Sequence, residues 1–252
     1  MIKMDRNCLS YWFPKVAELK IPVPKTVIVH NPPGLELIEF LEDFKGVSTK
    51  AKLLFRQLIL DLEKAADMFG YPVFLRSGLT SAKHGFAKTC HVRKASELPK
   101  HVLEIVLFSH MASFLGLATD VWAVRKMLHP RVYFQAFNGL PISLEVRVFA
   151  EENKGVVCHH PYWPVEAFEK LPADSFPDDW KERIGRLYYN YETYLTKEVM
   201  GNSAKIANWI GGAWSIDWLW DQPSGHWFMI DMAVAKDSWH WPGCEHEHRW
   251  RY

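Results

Sequence analysis

The sequence has only four cysteines in 252 residues, and none of them forms a Cys-X-X-Cys pair. A chain of this length can fold on its hydrophobic core, so disulfide bonds are not required. No run approaches the roughly 18 uncharged apolar residues of a membrane-spanning helix. Residues 1–20 also contain no apolar run typical of a signal peptide. We therefore expect a cytoplasmic protein with reduced thiols and no membrane partner.

The sequence also has no excess of charge of either sign. Lys plus Arg total 30, Asp plus Glu total 29, and the formal net charge is +1. Such a chain has no net positive potential that would attract a phosphate backbone, so we expect no general nucleic-acid binding. The nucleophile elbow, the zinc-protease HExxH, the Walker loop and the kinase signatures are all missing from the sequence. These absences exclude the enzyme classes that depend on those motifs.

Aromatic residues are abundant, with 12 Trp, 15 Phe and 9 Tyr. They indicate a large core, a stacking site, or both. The hydrophobic fraction of 48% and the charged fraction of 23% are typical of a globular protein. The length fits one large domain or two small ones.

Periodicity divides the chain into three sections: an N-terminal α/β section (1–69), a section of 70–120, and a β-rich section of 121–252. The predicted helices cover 9–20, 49–68, 96–117 and 178–210, the last with a break near Gly201 and Asn202. The predicted strands cover 26–29, 71–76, 87–92, 121–128, 133–137, 142–150, 156–158, 213–221 and 226–232.

The last two strands flank a Gln-Pro-Ser-Gly turn. With the turn centred on Ser224, Asp217 lies directly opposite Asp231 on one face of the hairpin. Two carboxylates at that spacing repel each other unless a cation lies between them, and oxygen ligands favour Mg²⁺, with Mn²⁺ as the alternative. If the register is shifted by one residue, both aspartates are solvated edge charges instead.

The same alternation assigns the tryptophans, most of which follow residue 208. Trp218 and Trp220 are predicted on the face away from the two aspartates, and Trp227 on the aspartate face. Most of the excess aromatic residues are therefore interpreted as scaffold. A sugar-binding module remains an alternative.

Two further segments carry cations. Arg76 ends a predicted strand and leads into the small-residue loop 77–85, where backbone N–H groups, Arg76 and Lys83 could bind an anion. An ordinary polar loop explains the same residues. Glu145 and Arg147 share one face of a strand, either as a structural ion pair or with Arg147 directed at a phosphate.

The end of the chain is rich in His and Cys. His240, Cys244, His246 and His248 could bind zinc, although their spacing matches no standard zinc finger. Residues of this kind also collect in chain termini without binding metal. The sequence leaves both interpretations open.

Four segments, in order along the chain, resemble motifs of the ATP-grasp superfamily. They are LKIPVPKT at 19–26, GYPVFLR at 70–76, EVRVF at 145–149, and the hairpin WSIDWL at 214–219 with FMIDMA at 228–233. The sequence departs from the family at three positions: Arg76 replaces Lys, Asp231 replaces Glu, and Ala233 replaces a metal-binding Asn. Asp237 could supply the metal ligand that is missing at Ala233. These departures are similar to those of a divergent ATP-grasp clade from bacteria and their phages, and to those of the cell-division-cycle 123-like branch.

The resemblance implies an α+β, ATP-grasp-like fold in which two α/β subdomains clasp a nucleotide, after a short N-terminal α/β section. In this interpretation 70–120 is the small subdomain with the phosphate loop, and 121–252 is the large subdomain with the metal hairpin. The implied cofactors are ATP and Mg²⁺, with Mn²⁺ as the alternative, and the implied metal ligands are Asp217 and Asp231.

The resemblance also assigns roles to individual residues. Arg76 would bind the α- and β-phosphates, Arg147 would face the γ-phosphate, and Lys126 would reach a phosphate, which makes these three the candidate catalytic residues. Residues 125–128 would form the hinge beside adenine. The full set of implied nucleotide contacts is Arg76, Ser81, Lys83, Arg125, Lys126, Met127, Leu128, Glu145 and Arg147.

The implied activity is ATP-dependent joining of a carboxylate to an amine through an acylphosphate. The acceptor would be a small molecule, a peptide or a protein. Two alternatives keep the fold: a nucleotide-binding assembly factor without ligase chemistry, and a phosphotransferase.

Overall fold

A computed structural model describes residues 5–42, 46–112, 117–172 and 175–250. The chain forms two compact units. The small unit comprises Pro24–Met127 and Phe137–Leu140, and the large unit comprises Met1–Val23, Leu128–Ala136 and Pro141–Tyr252. In the described ranges no helix is both long and apolar enough to cross a membrane.

Helices predominate in the first part of the described chain, and five consecutive strands, three helices and a final pair of strands follow. The α-helices are α1 Leu9–Glu18, α2 Glu39–Glu42, α3 Thr49–Asp67, α4 Leu98–Met111, α5 Glu166–Glu169, α6 Trp180–Tyr194 and α7 Lys197–Ile210. The strands are β1 Thr26–His30, β2 Val73–Ser77, β3 His91–Val92, β4 Val121–Lys126, β5 Val132–Ala136, β6 Leu140–Ser143, β7 Glu145–Glu151, β8 Gly155–Pro161, β9 Ala213–Asp221 and β10 His226–Val234.

The small unit is an antiparallel sheet of order β1-β4-β2-β3 with its hydrophobic core on one face. Leu75 and Val124 are opposite each other on that face, and the core includes Leu58 of α3 and Ile105 of α4. The predicted sections ending at 69 and 120 do not coincide with this unit, because β1, β2 and β4 pair within one sheet. Strand pairing between distant segments is not visible in local periodicity.

The large unit contains a second antiparallel sheet, of order β10-β9-β7-β8, and the two-stranded sheet β5-β6. Helix α7 packs on the four-stranded sheet. Its Ser203 hydroxyl accepts a hydrogen bond of 3.0 Å from Nε1 of Trp218, which is fully buried. Ile206 of α7 is also fully buried. This face of the sheet therefore carries the hydrophobic core, and the opposite face is left for other groups.

Two predicted strands differ from the observed ones. The predicted strand 142–150 is divided at Leu144, because β6 pairs with β5 whereas β7 pairs with β8 and β9. The predicted strand 87–92 is reduced to His91–Val92, because residues 86–90 form turns that fold back on the preceding loop.

The predicted helix break near Gly201 is wrong. The structure divides this region at Leu195, whose ψ of 124° is extended, and Thr196 then caps α7 by accepting a hydrogen bond from the Val199 amide. A helix can begin there because a threonine hydroxyl satisfies one of the free amides of the first turn. Gly201 continues the helix.

The position of this break leads to a testable expectation for Gly201→Ala. A Cβ atom added at Gly201 would meet nothing within 4 Å, so alanine should raise the free energy of unfolding by about 0.5–1 kcal/mol. Gly211→Ala is the matched control, because its φ of +81° is strained for alanine and stability should fall. Urea unfolding measures both. A loss of stability in Gly201→Ala would place the break at residue 201.

Candidate functional site

The β9–β10 hairpin brings Asp217 and Asp231 into register, as predicted. Near the turn, the two strands pair one residue differently from the prediction. A bulge between Met229 and Asp231 then shifts the register by one residue. The predicted pairing of the aspartates is confirmed because the bulge compensates for the different turn.

The register near the turn also decides the face of Trp227. A turn centred as predicted places Trp227 opposite Asp221, whereas the structure pairs it with Trp220. The Trp227 ring packs edge-to-face on Trp220, with centroids 5.6 Å apart, so its predicted position on the aspartate face is wrong. Trp218 lies on the core face, as its bond to Ser203 requires. The bulge shifts the pairing on the turn side by one residue, and a one-residue shift moves side chains to the other face of the sheet.

Arg147 on β7 is the direct partner of Asp217 on β9. Its Nε donates to Oδ1 and its Nη2 donates to Oδ2 of Asp217, both at 2.8 Å. Arg147 also pairs with His160 on β8. The four strands therefore carry one row of side chains on the face opposite the core: His160, Arg147, Asp217 and Asp231. We call this set the charged row.

The charged row lies in a largely buried setting. The side chains of Arg147 and Asp217 are 16% and 6% exposed. Burial opposes the positive charge of Arg147, but Asp217 outweighs it and raises the pKa of the guanidinium. Burial, followed by the neighbouring His240, lowers the pKa of His160 to about 4, so that imidazole is neutral at neutral pH. Arg147 is therefore the cation of the row.

Two other groups hold Arg147. Its Cζ lies 4.8 Å from the centroid of the Tyr162 ring, and its Nη1 donates to the Trp239 carbonyl oxygen at 3.2 Å. The sequence offered Glu145 as an ion-pair partner for Arg147, and the structure adds a salt bridge to Asp217. Glu145 is buried at the start of β7. A bidentate, aromatic-stacked guanidinium is a rigid group for recognising a phosphate.

The donor set of the row suits Mg²⁺ bound together with a nucleotide. Mg²⁺ is commonly held by one or two carboxylates plus substrate phosphates, and each carboxylate oxygen of Asp217 keeps a second lone pair beside its bond to Arg147. Ala233, two residues from Asp231, offers no ligand atom. Asp237 is exposed and accepts a hydrogen bond of 2.9 Å from Asn7. Its role as a substitute ligand stays a prediction.

In the small unit, two buried arginines share one face of the sheet. Arg76 on β2 pairs with Ala123, and Arg125 on β4 pairs with Phe74, so both lie on the face opposite the hydrophobic core. They are 2% and 4% exposed. Arg76 Nε donates to the Ser77 carbonyl oxygen at 3.1 Å. The sequence assigned only a hinge role to Arg125, and the structure adds its buried guanidinium.

The loop after β2 is held by its own side chains. The Thr80 amide donates to Ser77 Oγ and the Ala82 amide donates to Thr80 Oγ1, both at 3.1 Å. Thr89 Oγ1 donates to the Ala82 carbonyl oxygen at 2.8 Å. A Cβ at Gly85 would come within 2.8 Å of Thr89, so the loop needs glycine there.

The remaining predicted nucleotide contacts lie at several places. Ser81 and Lys83 are partly buried in this loop. Lys126 is exposed and pairs with Val73, on the face opposite Arg125. Met127 ends the first segment of the small unit and Leu128 begins a segment of the large unit. Their roles with a nucleotide stay predictions.

No protein-family model matches the sequence, and no curated protein matches it. Solved structures do match. A C-terminally truncated Cdc123 from Schizosaccharomyces pombe is 15% identical with a TM-score of 0.55, over 91% of this chain and 83% of that chain. Cdc123 from the same organism is 13% identical with a TM-score of 0.52, over the same shares.

An ATP-grasp RimK domain protein from Sphaerobacter thermophilus is 12% identical with a TM-score of 0.46, over 90% of this chain and 58% of that chain. The fold is α+β and is similar to the fold of Cdc123, which agrees with the α+β class and the cell-division-cycle 123-like similarity predicted from the sequence.

Proposed function

We propose that this protein binds ATP with Mg²⁺ and uses it to join a carboxylate to an amine through an acylphosphate. The observation that supports the proposal best is the charged row, in which a fixed guanidinium lies beside two carboxylates in register on one sheet face. A cation that binds phosphate oxygens and carboxylates that hold a metal are the two requirements of phosphoryl transfer.

The proposed reaction has two steps. An oxygen of the substrate carboxylate forms a bond to the γ-phosphorus, and the bond from that phosphorus to the bridging oxygen breaks, releasing ADP. The amine nitrogen then attacks the acyl carbon, the carbon–oxygen bond to phosphate breaks, and the amine proton passes to solvent. Little covalent work by the protein is needed, because positioning and charge neutralisation supply most of the catalysis.

In this proposal the residues of the large unit have distinct tasks. Arg147 binds the γ-phosphate and stabilises the charge that develops on it. Asp217 orients Arg147 through its two hydrogen bonds and, with Asp231, would hold Mg²⁺. When bound, Mg²⁺ neutralises the negative charge of the phosphates.

In the small unit, Arg76 is the proposed contact to the α- and β-phosphates, and Ser81 and Lys83 are the proposed contacts from the loop. Lys126 is a proposed phosphate contact, and residues 125–128 are proposed to bind adenine through their backbone. Glu145 completes the proposed nucleotide contacts. The acceptor amine belongs to a small molecule, a peptide or a protein.

The test is acylphosphate trapping. The protein is incubated with ATP, Mg²⁺, hydroxylamine and the low-molecular-weight fraction of a bacterial cell extract. We expect release of ADP together with a hydroxamate, because hydroxylamine attacks acylphosphates. A stable phosphorylated product without hydroxamate would instead indicate a phosphotransferase. Nucleotide binding without any ADP release would indicate an assembly factor.

The assembly factor is the second candidate, and Ala233 favours it. This residue follows Asp231 on the same face of β10, where the resemblance implies a metal-binding Asn. A site with one ligand fewer holds Mg²⁺ less firmly and would suit binding better than turnover.

The same position leads to a prediction for Ala233→Asn. The added amide oxygen should lower the Mg²⁺ concentration needed for half-maximal nucleotide binding several-fold, since Mg²⁺ prefers oxygen ligands. A nucleotide-binding titration at a series of Mg²⁺ concentrations measures this change. Ala204→Asn, on α7, is the control and should leave the Mg²⁺ dependence unchanged. Ala235 is not used as the control position because it is buried. An unchanged Mg²⁺ dependence in Ala233→Asn would argue against a metal at this hairpin.

A further inference from the structure

A second group of chemically reactive side chains lies in the large unit, beside the β8 end of the charged row. Cys158 and His160 alternate on β8, so their side chains share one face. His240 and Cys244 come from the segment after β10. One ligand atom from each of these four residues lies within 4.8 Å of the others. We call this set the Cys/His cluster.

We propose that the Cys/His cluster is a structural zinc site formed by Cys158, His160, His240 and Cys244. Two sulfur and two nitrogen donors are the set that binds zinc in tetrahedral structural sites. Tetrahedral bonds of about 2.0–2.3 Å place ligand atoms roughly 3.3–3.8 Å apart. The observed separations, including 3.1 Å from Cys158 Sγ to His240 Nε2, need only small side-chain movements to reach that geometry.

His160 provides an independent sign of a missing ligand. Its Nε2 is buried and has no hydrogen-bond partner among the residues that the structure describes. An unsatisfied buried polar atom is costly, and native proteins rarely leave one. A metal ion bound by this nitrogen would remove that cost.

Aromatic rings close the Cys/His cluster on several sides. The His240 ring lies 4.3 Å from the Phe149 ring, and the His160 ring stacks on Trp241 at 5.7 Å. Trp250 stacks on Phe149 at 5.2 Å. A site with four protein ligands leaves no position for a substrate, so the zinc is structural.

The zinc would fix the C-terminal segment to the sheet. His160 is also part of the charged row, and the carbonyl oxygen of Trp239, one residue before His240, accepts a hydrogen bond from Arg147. By joining β8 to this segment, the zinc would hold the Trp239 carbonyl against Arg147. The inference does not depend on the reaction that the charged row performs.

The structure revises the ligand set considered from the sequence. His240 and Cys244 belong to the cluster, whereas His246 pairs with Glu245 at 3.1 Å and His248 is exposed. The other two ligands come from β8, where Cys158 precedes His240 by 82 residues. Only the fold brings Cys158 and His160 next to His240 and Cys244.

The test is zinc content and affinity in the full-length protein, loaded with Zn²⁺ under reducing conditions and dialysed. We expect one zinc per chain by elemental analysis. Competition with a chromophoric chelator should show affinity lower by more than about 100-fold in Cys158→Ser and Cys244→Ser, since even outer-shell changes cost up to that factor. His246→Asn and His248→Asn are the matched controls and should keep wild-type affinity.

A conservative variant distinguishes the loss of a zinc ligand from misfolding of the protein. His160→Cys keeps four ligands and should keep the zinc, whereas His160→Ala should lose it. Replacing Zn²⁺ by Co²⁺ should give the intense visible absorption of a tetrahedral site. Wild-type protein without zinc or cobalt uptake, equal affinity in Cys158→Ser, or a Cys158–Cys244 disulfide that persists under reductant would overturn the proposal.

Discussion

Asp217→Ala is expected to lower both the stability of the protein and its ATP turnover. The variant leaves the largely buried guanidinium of Arg147 without the two 2.8 Å hydrogen bonds that compensate its charge. Breaking a buried pair by removing one partner costs about 3–5 kcal/mol, and the lower end applies because Arg147 is partly exposed. ADP release should fall by at least about 100-fold, the loss seen when one preorganised charge-stabilising group is removed.

A double variant separates these two effects. Arg147→Met combined with Asp217→Leu removes both charges together, and replacing a buried ion pair by apolar residues is often neutral for stability. We expect the double variant to recover most of the unfolding free energy lost in Asp217→Ala. It should remain unable to release ADP, since neither the phosphate contact nor the carboxylate is restored.

Urea unfolding and an ADP-release assay measure the two quantities on the same samples. Recovery of ADP release in the double variant would show that the Arg147–Asp217 pair is only structural. A double variant as unstable as Asp217→Ala would show that the pair is not the source of the lost stability.

Asp231→Asn should impair Mg²⁺-dependent activity while leaving the fold intact. The amide oxygen of asparagine can still accept the 3.0 Å hydrogen bond from the Met232 amide, so the hairpin should be preserved. The loss of a carboxylate ligand should raise the Mg²⁺ concentration needed for half-maximal ADP release by at least about tenfold. A titration of ADP release against Mg²⁺ measures it.

Asp237→Asn is the matched control, because Asp237 is exposed and its observed partner is Asn7. It should leave the Mg²⁺ requirement at the wild-type value. If Asp237→Asn raises the requirement as much as Asp231→Asn does, Asp237 is the third ligand in place of the family's Asn. If neither variant changes it, the hairpin does not hold the metal.

Local chemistry made the hairpin predictable from the sequence. The turn signal placed the two strands next to each other, and Asp217 pairs with Asp231 as predicted because a bulge compensates for the one-residue difference at the turn. The pairing near the turn was predicted wrongly, because a regular ladder without the bulge after Met229 was assumed. Trp227 was assigned to the wrong face for that reason.

Contacts between residues that are far apart in the sequence could not be predicted. Asp217, which binds Arg147 through two hydrogen bonds, is 70 residues away from it, and the sequence suggested only the nearer Glu145. The Cys/His cluster shows the same limit, since spacing within the tail pointed to two histidines that the structure leaves outside the cluster. In place of these two histidines, the fold brings Cys158 and His160 next to His240 and Cys244. Contacts of this kind arise from the order of strands in a sheet.

Equilibrium dialysis of a non-hydrolysable ATP analogue tests the central claim most directly. With Mg²⁺ present, we predict one bound nucleotide per chain, and binding at least about tenfold weaker when Mg²⁺ is chelated or when Asp231 is replaced by Asn. No binding at millimolar nucleotide, or an affinity that is the same with and without Mg²⁺, would contradict the assignment of the charged row as an ATP·Mg²⁺ site.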